Sequence, residues 1–254
     1  MTVNINGINI NYIDEGEGSP ILMLHGWGSS VIVWKSVINN LKNGFRTIAL
    51  DFPGCGESEL PKNPLSLTDY ENLVLEFIEK LNLNKKELII MGHSHGGRVA
   101  LSLMGKKLLT PKKAVLFGAA GIVNKKSFKT RAKIRTYKIV KGALSLPFIK
   151  NYTSSAIEKA KKHFGSADYS NSPEVMRKTM VMVVSVDIRE NLKNIDCPVL
   201  LIWGENDTDT PLKNAKLIES LIKDCGLCVL SGVGHFGFVQ KPNQTNAILN
   251  SFLR

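Results

Sequence analysis

Apolar positions along this 254-residue chain fall into short unbroken runs separated by longer stretches of helical period. Ile21 to Leu24, Phe45 to Leu50, Leu88 to Met91, Lys113 to Phe117, Pro198 to Trp203 and Leu227 to Leu230 are such runs. Strands buried on both faces read this way, because neither side of the sheet meets water. Helices are expected between them. Tyr70, Leu73, Val74, Phe77, Ile78 and Leu81 fall at i, i+3, i+4, i+7, i+8 and i+11, one face of a helix. Further helices are expected over about Trp34 to Leu41, 212–223 and 241–252. Residues 2–14 alternate polar and apolar around Asn6-Gly7, which predicts a hairpin. Strand alternating with helix gives an α/β class: a doubly wound, mostly parallel sheet covered on both faces.

The rhythm breaks between residues 122 and 187, which are basic and read as helical, without a buried-strand run. Ser155 to Glu158 has the form of a capping box. Ser172-Pro173 reads as an N-cap before a first-turn proline, ahead of an apolar face of Met176, Met180, Val183 and Val184. The expected division is therefore a core of 1–121 and 188–254 with a helical cap inserted at 122–187.

Charge sharpens that division. The formal net charge is +11, and residues 122–187 carry fourteen Lys or Arg against four Asp or Glu. A solvated basic face is the first reading of that excess. Recruitment of an anionic substrate or of a membrane surface is the second. Nucleic-acid binding is not expected, because no recognition motif accompanies the charge. No apolar run approaches the ~20 residues that span a bilayer. The N-terminus reads as a strand rather than a signal peptide, so a cytoplasmic location is expected. Cys55, Cys197, Cys225 and Cys228 suggest no disulfide framework, and Cys225-Gly-Leu-Cys228 reads as a helix end running into a strand rather than as half of a metal site.

Candidate chemistry sits at the carboxyl ends of the expected strands, where sites form in open parallel sheets. The run at Leu88 to Met91 leads into Gly92-His93-Ser94-His95-Gly96 and then Arg98-Val99-Ala100-Leu101, which can open a helix. A G-x-S-x-G between strand and helix is a nucleophile elbow: the chain turns so sharply that the serine hydroxyl stands exposed above the sheet. Side chains at 92 and 96 would collide across that turn, and Gly97 lets the helix approach the sheet. Downstream strand ends carry Gly204-Glu-Asn-Asp207, with Pro211 beyond, and Gly234-His235. The order Ser94, Asp207, His235 fits a triad: His235 takes the proton from Ser94, and Asp207 holds His235 in the productive tautomer. Asp209 is a rival to Asp207. Asp51 comes too early in the chain and is read as shaping its own turn.

Five motifs in order carry a resemblance over essentially the whole chain: His25-Gly-Trp-Gly28, Asp51-x-Pro-Gly-x-Gly-x-Ser58, Gly92-His-Ser-His-Gly-Gly97, Gly204-Glu-Asn-Asp207 with Pro211, and Gly234-His235. The chain resembles the α/β-hydrolase superfamily, in the group with a helical cap. That resemblance implies an α/β-hydrolase fold and an oxyanion hole made by the backbone N–H groups of Trp27 and His95, each such donor typically worth ~3–4 kcal/mol in the transition state. It implies a serine hydrolase acting through an acyl-enzyme on small carboxylic esters, with no cofactor or metal. The alternative within the fold is a C–C bond hydrolase or lyase acting on an anionic diketone-type acid. The basic cap favours it, and Phe236, where ring-fission hydrolases commonly carry Trp, counts against it. A non-catalytic ligand-binding protein is the alternative outside enzymes. His25 is expected to order the oxyanion loop, and His93 and His95 to point away from the Ser94 hydroxyl. His163 is expected on the cap surface. Ile134, Tyr137, Met176 and Met180 are expected to pack, some of them lining an acyl pocket. The expected partner is a small-molecule ester or acid; the oligomeric state is left open.

Overall fold

The computed structural model describes residues 1–123 and 172–254. Eight strands form one sheet: β1 (Thr2–Ile5), β2 (Ile8–Glu15), β3 (Ser19–Leu24), β4 (Phe45–Leu50), β5 (Ile89–His93), β6 (Lys113–Phe117), β7 (Val199–Gly204) and β8 (Cys225–Leu230). Their order across the sheet is β1-β2-β4-β3-β5-β6-β7-β8. β1 and β2 form the hairpin, with Asn6 and Gly7 both at positive φ, and β2 joins β4 antiparallel. All other pairings are parallel.

The unbroken apolar runs are explained by two cores, one on each face. Within β3, Leu22 and Leu24 enter one core while Ile21 and Met23 enter the other. β5 divides the same way, with Ile90 on one side and Ile89 and Met91 on the other. The first face is covered by α2 (Leu67–Lys80), α3 (His95–Gly105) and α5 (Leu212–Leu221). The second is covered by α1 (Lys35–Leu41), which continues a 3-10 turn at Val31–Trp34, and α7 (Pro242–Leu253). In α2 the predicted stripe Tyr70, Leu73, Val74, Phe77 and Ile78 is buried, and Ser66 with Asp69 forms a reciprocal capping box at its start. Glu71 on the same helix is buried with Ser102 and Lys106 of α3 and its C-cap as partners, an ionic tie between the two helices.

Three boundaries differ from expectation. α3 starts at His95 rather than Arg98, so Gly96 and Gly97 lie inside the helix. α4 (Glu174–Val184) takes Pro173, not Ser172, as its N-cap residue. β8 begins at Cys225, so both Cys225 and Cys228 belong to a strand, and all four cysteines are free. The expected cap falls largely outside the described residues, as do its capping box at Ser155, and Ile134, Tyr137 and His163. A 3-10 turn at Arg189–Asn194 and the short helix α6 (Gly237–Gln240) complete the described elements. No described helix is long and apolar enough to cross a membrane.

The chain leaves β3 for β4 on one side and later returns to place β5 on the other. Leu24 and Gly92 are paired neighbours at the carboxyl ends of β3 and β5. The loops that follow them are therefore brought together at the point where strand order reverses, the usual place for a site in such sheets.

Candidate active site

At that point β5 turns into α3 through Ser94, which has φ 50° and ψ −109°. A non-glycine residue in that region costs of order 1–3 kcal/mol and persists only where its surroundings hold it. Hydrogen bonds hold it on both sides: the Ser94 N–H donates to Phe117 O (3.0 Å), and Ala120 N–H donates to Ser94 O (2.9 Å). The flanking glycines are needed for space. A Cβ on Gly92 would lie 2.7 Å from backbone atoms of Gly96 and Gly97, and one on Gly96 would strike the Leu24 carbonyl. Gly97 lies against Ala119, in the segment after β6.

Ser94 lines a cavity of about 380 Å³ together with Gly26, Trp27, His95 and His235. His95 is the first residue of α3, so its N–H has no acceptor within the helix. Trp27 stands beside it, ring to ring at 5.7 Å. The two candidate oxyanion donors thus border the cavity that holds Ser94.

His235 and Asp207 meet from two other strand ends. His235 Nδ1 is 2.8 Å from Asp207 Oδ2. Asp207 is buried, which works against its charge, but hydrogen bonds from His235 and Thr210 hold its carboxyl below the ordinary carboxylate range. Its Oδ1 accepts the N–H groups of Asp209 and Thr210, each at 2.9 Å, and its Oδ2 also accepts the Thr210 hydroxyl at 2.8 Å. Asp209 is exposed at the cavity mouth, and of the two carboxylates Asp207 is the one that touches His235.

Several participants were not legible in the sequence. Thr210 is one: its hydroxyl lies between Asp207 Oδ2 and Gly118 O, and Trp203 Nε1 donates to its carbonyl (2.6 Å), fixing it below the dyad. Asp-x-x-Thr is the only trace of it in the chain. Arg98 is another. It is buried at the cavity wall, and its Nη1 donates to Val183 O (2.7 Å) and Val186 O (2.8 Å), satisfying carbonyls at the end of α4. Burial brings its guanidinium down to about 10, opposed by Asp187. That tie puts Met180, Val183 and Val184 on the cavity wall, whereas Met176 is buried against Gly54.

His25 is bonded through both ring nitrogens: Nε2 accepts Phe52 N–H (2.9 Å), and Nδ1 donates to Gly26 O (2.6 Å). Asp51 shapes its turn by accepting from Val31 N, Asn11 Nδ2 and Glu57 N. His93 and His95 flank Ser94 in the chain. Both line the same cavity as Ser94, and His93 packs its ring against that of His235 at 4.7 Å. His95 is enclosed by Phe52, Tyr70 and Trp27.

The fold and the site geometry together define an α/β hydrolase. The profile of the alpha/beta hydrolase family matches residues 21–248, and the chain belongs to that family. Among its relatives is the 2-hydroxy-6-oxo-6-(2'-aminophenyl)hexa-2,4-dienoic acid hydrolase of Metapseudomonas resinovorans, 27% identical, with 99% of this chain and 89% of that protein covered. The pimeloyl-[acyl-carrier protein] methyl ester esterase of Proteus mirabilis is 26% identical, with 92% of each chain covered. Among solved structures, Est816, an N-acyl homoserine lactone degrading enzyme, superposes with a TM-score of 0.78 at 23% identity over 99% of this chain and 100% of that one. The protein is an enzyme of the hydrolase class.

Proposed function

We propose that the protein is a serine hydrolase that cleaves small carboxylic esters through an acyl-enzyme, with Ser94 as nucleophile, His235 as base and Asp207 as its orienting carboxylate. The observation that carries this reading is the 2.8 Å contact of His235 Nδ1 with Asp207, beside a strained Ser94 in one cavity. With Nδ1 occupied by the carboxylate, Nε2 is left to accept the Ser94 proton. The Ser94 oxygen attacks the ester carbonyl carbon, and the Trp27 and His95 N–H groups receive the developing oxyanion. His235 then returns its proton to the leaving alcohol. Water repeats the sequence on the acyl-enzyme, giving its proton to His235 and releasing the acid and free Ser94. In this reading residues 122–187 form a cap over the cavity, and α4, held by Arg98, is its described margin.

A second reading, C–C bond cleavage of an anionic diketone-type acid, is favoured by the Metapseudomonas relative and by the basic composition of residues 122–187. The same triad would serve it. The Proteus relative and the cavity's largely apolar wall of Met180, Val183 and Val184 favour an ester. Steady-state rates on p-nitrophenyl acetate and butyrate, set beside a ring-fission dienoate, separate the two. Ester turnover that is lost in Ser94→Ala, with dienoate turnover at background, supports the first reading; dienoate turnover exceeding ester turnover in kcat/KM overturns it.

A further inference from the structure

β5 and the elbow place two adjacent residues in different surroundings. Both belong to the lining of the cavity, but His93 is only 1% exposed. The His93 ring lies against those of His235, Phe236 and Phe238, with centroids 4.7, 4.7 and 5.0 Å away. Its Nε2 is 3.1 Å from the main-chain oxygen of His235. A carbonyl oxygen only accepts, so the proton of this neutral ring is on Nε2 and Nδ1 carries a lone pair. Nδ1 has no hydrogen-bond partner and faces Gly26, where an added Cβ would come within 2.7 Å of it. A proton placed there would be buried without an acceptor. Burial, reinforced by the neighbouring His235, accordingly holds His93 down to about 3. His93 stays neutral while His235 gains and loses its proton.

The loop that carries His235 is otherwise anchored to Asp207, to the turn after β7 and to α6. Gly232 N–H donates to Glu205, Asn206 N–H donates to Val233 O, and Gly234 N–H donates to Gln240. These tie the loop to the turn after β7 and to α6. Among the hydrogen bonds of the described residues, the one joining the loop to the strand that leads into Ser94 comes from His93.

We propose that His93 is a positioning residue: by donating its Nε2–H to the His235 carbonyl, it clamps the base loop onto β5 and sets the distance between base and nucleophile. This rests on the reading of Ser94 as nucleophile and His235 as base. Because His93 and Ser94 are consecutive, no flexible segment lies between the clamp and the reacting oxygen. A misplacement of about 1 Å between reacting groups costs up to ~100-fold in rate, so one such bond has leverage on kcat while touching no substrate.

Two glutamine-family side chains test it. Glutamine carries its amide nitrogen the same number of bonds from Cα as Nε2, and asparagine stops one bond short. His93→Gln and His93→Asn are compared with wild type for p-nitrophenyl butyrate turnover, with kcat normalised to the sites that a fluorophosphonate titrates. The expected result is a ~10- to 100-fold lower kcat for His93→Asn at little-changed KM, with His93→Gln recovering most of it. Equal kcat per titrated site in the two variants overturns the proposal, whatever their melting temperatures. Nitrogen-15 NMR of the wild-type histidines needs no variant. It should find His93 neutral at pH 5 with its proton on Nε2, and a proton on Nδ1 would overturn the proposal. Wild-type protein that neither turns over the ester nor is labelled overturns the proposed function instead.

Discussion

Among the described residues, two Asp–His pairs stand at strand ends, and they differ in what their histidines have left to offer. Asp51 follows β4 and lies near His25, with Oδ1 and Nε2 3.9 Å apart. Asp207 follows β7 and touches His235 at 2.8 Å. Both carboxylates are buried and both are held by backbone N–H donors. In the first pair, His25 spends Nε2 on the Phe52 N–H and Nδ1 on the Gly26 carbonyl, and it is 0% exposed. Burial pushes its pKa down, and its two hydrogen bonds leave it no free nitrogen to present. In the second pair, His235 spends Nδ1 on Asp207 and borders the cavity with the rest of its ring. Adjacency of Asp and His is thus not the property that matters for acid–base work; a nitrogen left over on the cavity side is.

The sharpest way to break this comparison is at the groups the second pair serves. Ser94→Ala is expected to lower kcat for p-nitrophenyl butyrate by ~10⁴–10⁶-fold with the fold intact by circular dichroism. Asp207→Asn is expected to cost ~10⁴-fold, because an amide favours the wrong His235 tautomer. Loss of less than ~10-fold in that variant would remove Asp207 from the account.

Acid brings out the shared feature of the buried histidines. Burial holds His93 and His95 near 3 and lowers His25, against about 6.5 in an unfolded chain. Their contribution to stability is complete above about pH 6.5 and is lost as pH falls below it, because the unfolded chain then binds protons that the folded one refuses. His93 and His95 each give ~1.4 kcal/mol per pH unit over that range. Asp207, with its depressed value, adds to the loss only below the ordinary carboxylate range of ~4. Urea midpoints should therefore fall steadily between pH 6.5 and pH 5. A flat profile there would contradict the neutral buried imidazoles, and His95→Phe should make the profile shallower.

Asp51→Asn tests the other half of the comparison. Its amide would turn N–H groups toward the donors of Val31, Asn11 or Glu57. Stability is expected to drop by ~1–3 kcal/mol in urea titrations, with kcat falling less than ~10-fold. A smaller effect should come from Thr210→Val, which removes one of the four donors to Asp207 but preserves shape. A ~10-fold loss of kcat is expected, and the acid limb of kcat/KM should move to higher pH, since Asp207 would be a weaker acid. An unmoved limb would assign Thr210 to packing alone.

Most of the fold was legible because the central strands must bury both faces. That forces runs such as Ile21 to Leu24 and Leu88 to Met91, and the period of α2 leaves little choice for Tyr70 to Ile78. The candidate residues were legible because Ser94, Asp207 and His235 each follow a strand, and strand ends converge in a parallel sheet. Helix starts were less legible. Glycine has poor helix propensity, yet Gly96 and Gly97 lie within α3 because only their lack of Cβ admits the Leu24 carbonyl and Ala119. The supporting contacts were not legible at all. His93 reaches His235 across 142 positions, and Arg98 reaches Val183 across 85. Neither residue has a local partner that would mark it, so their roles exist only once the sheet has assembled.

The central claim, that Ser94 is activated through His235 and Asp207 rather than through the other pair, is tested most directly by fluorophosphonate labelling followed by mass spectrometry. Wild type and Asp51→Asn should carry the adduct on Ser94 at comparable rates, while Asp207→Asn and His235→Ala should label slower by orders of magnitude. A folded wild-type protein that takes no adduct at Ser94, or equal loss of labelling in Asp51→Asn and Asp207→Asn, would contradict it.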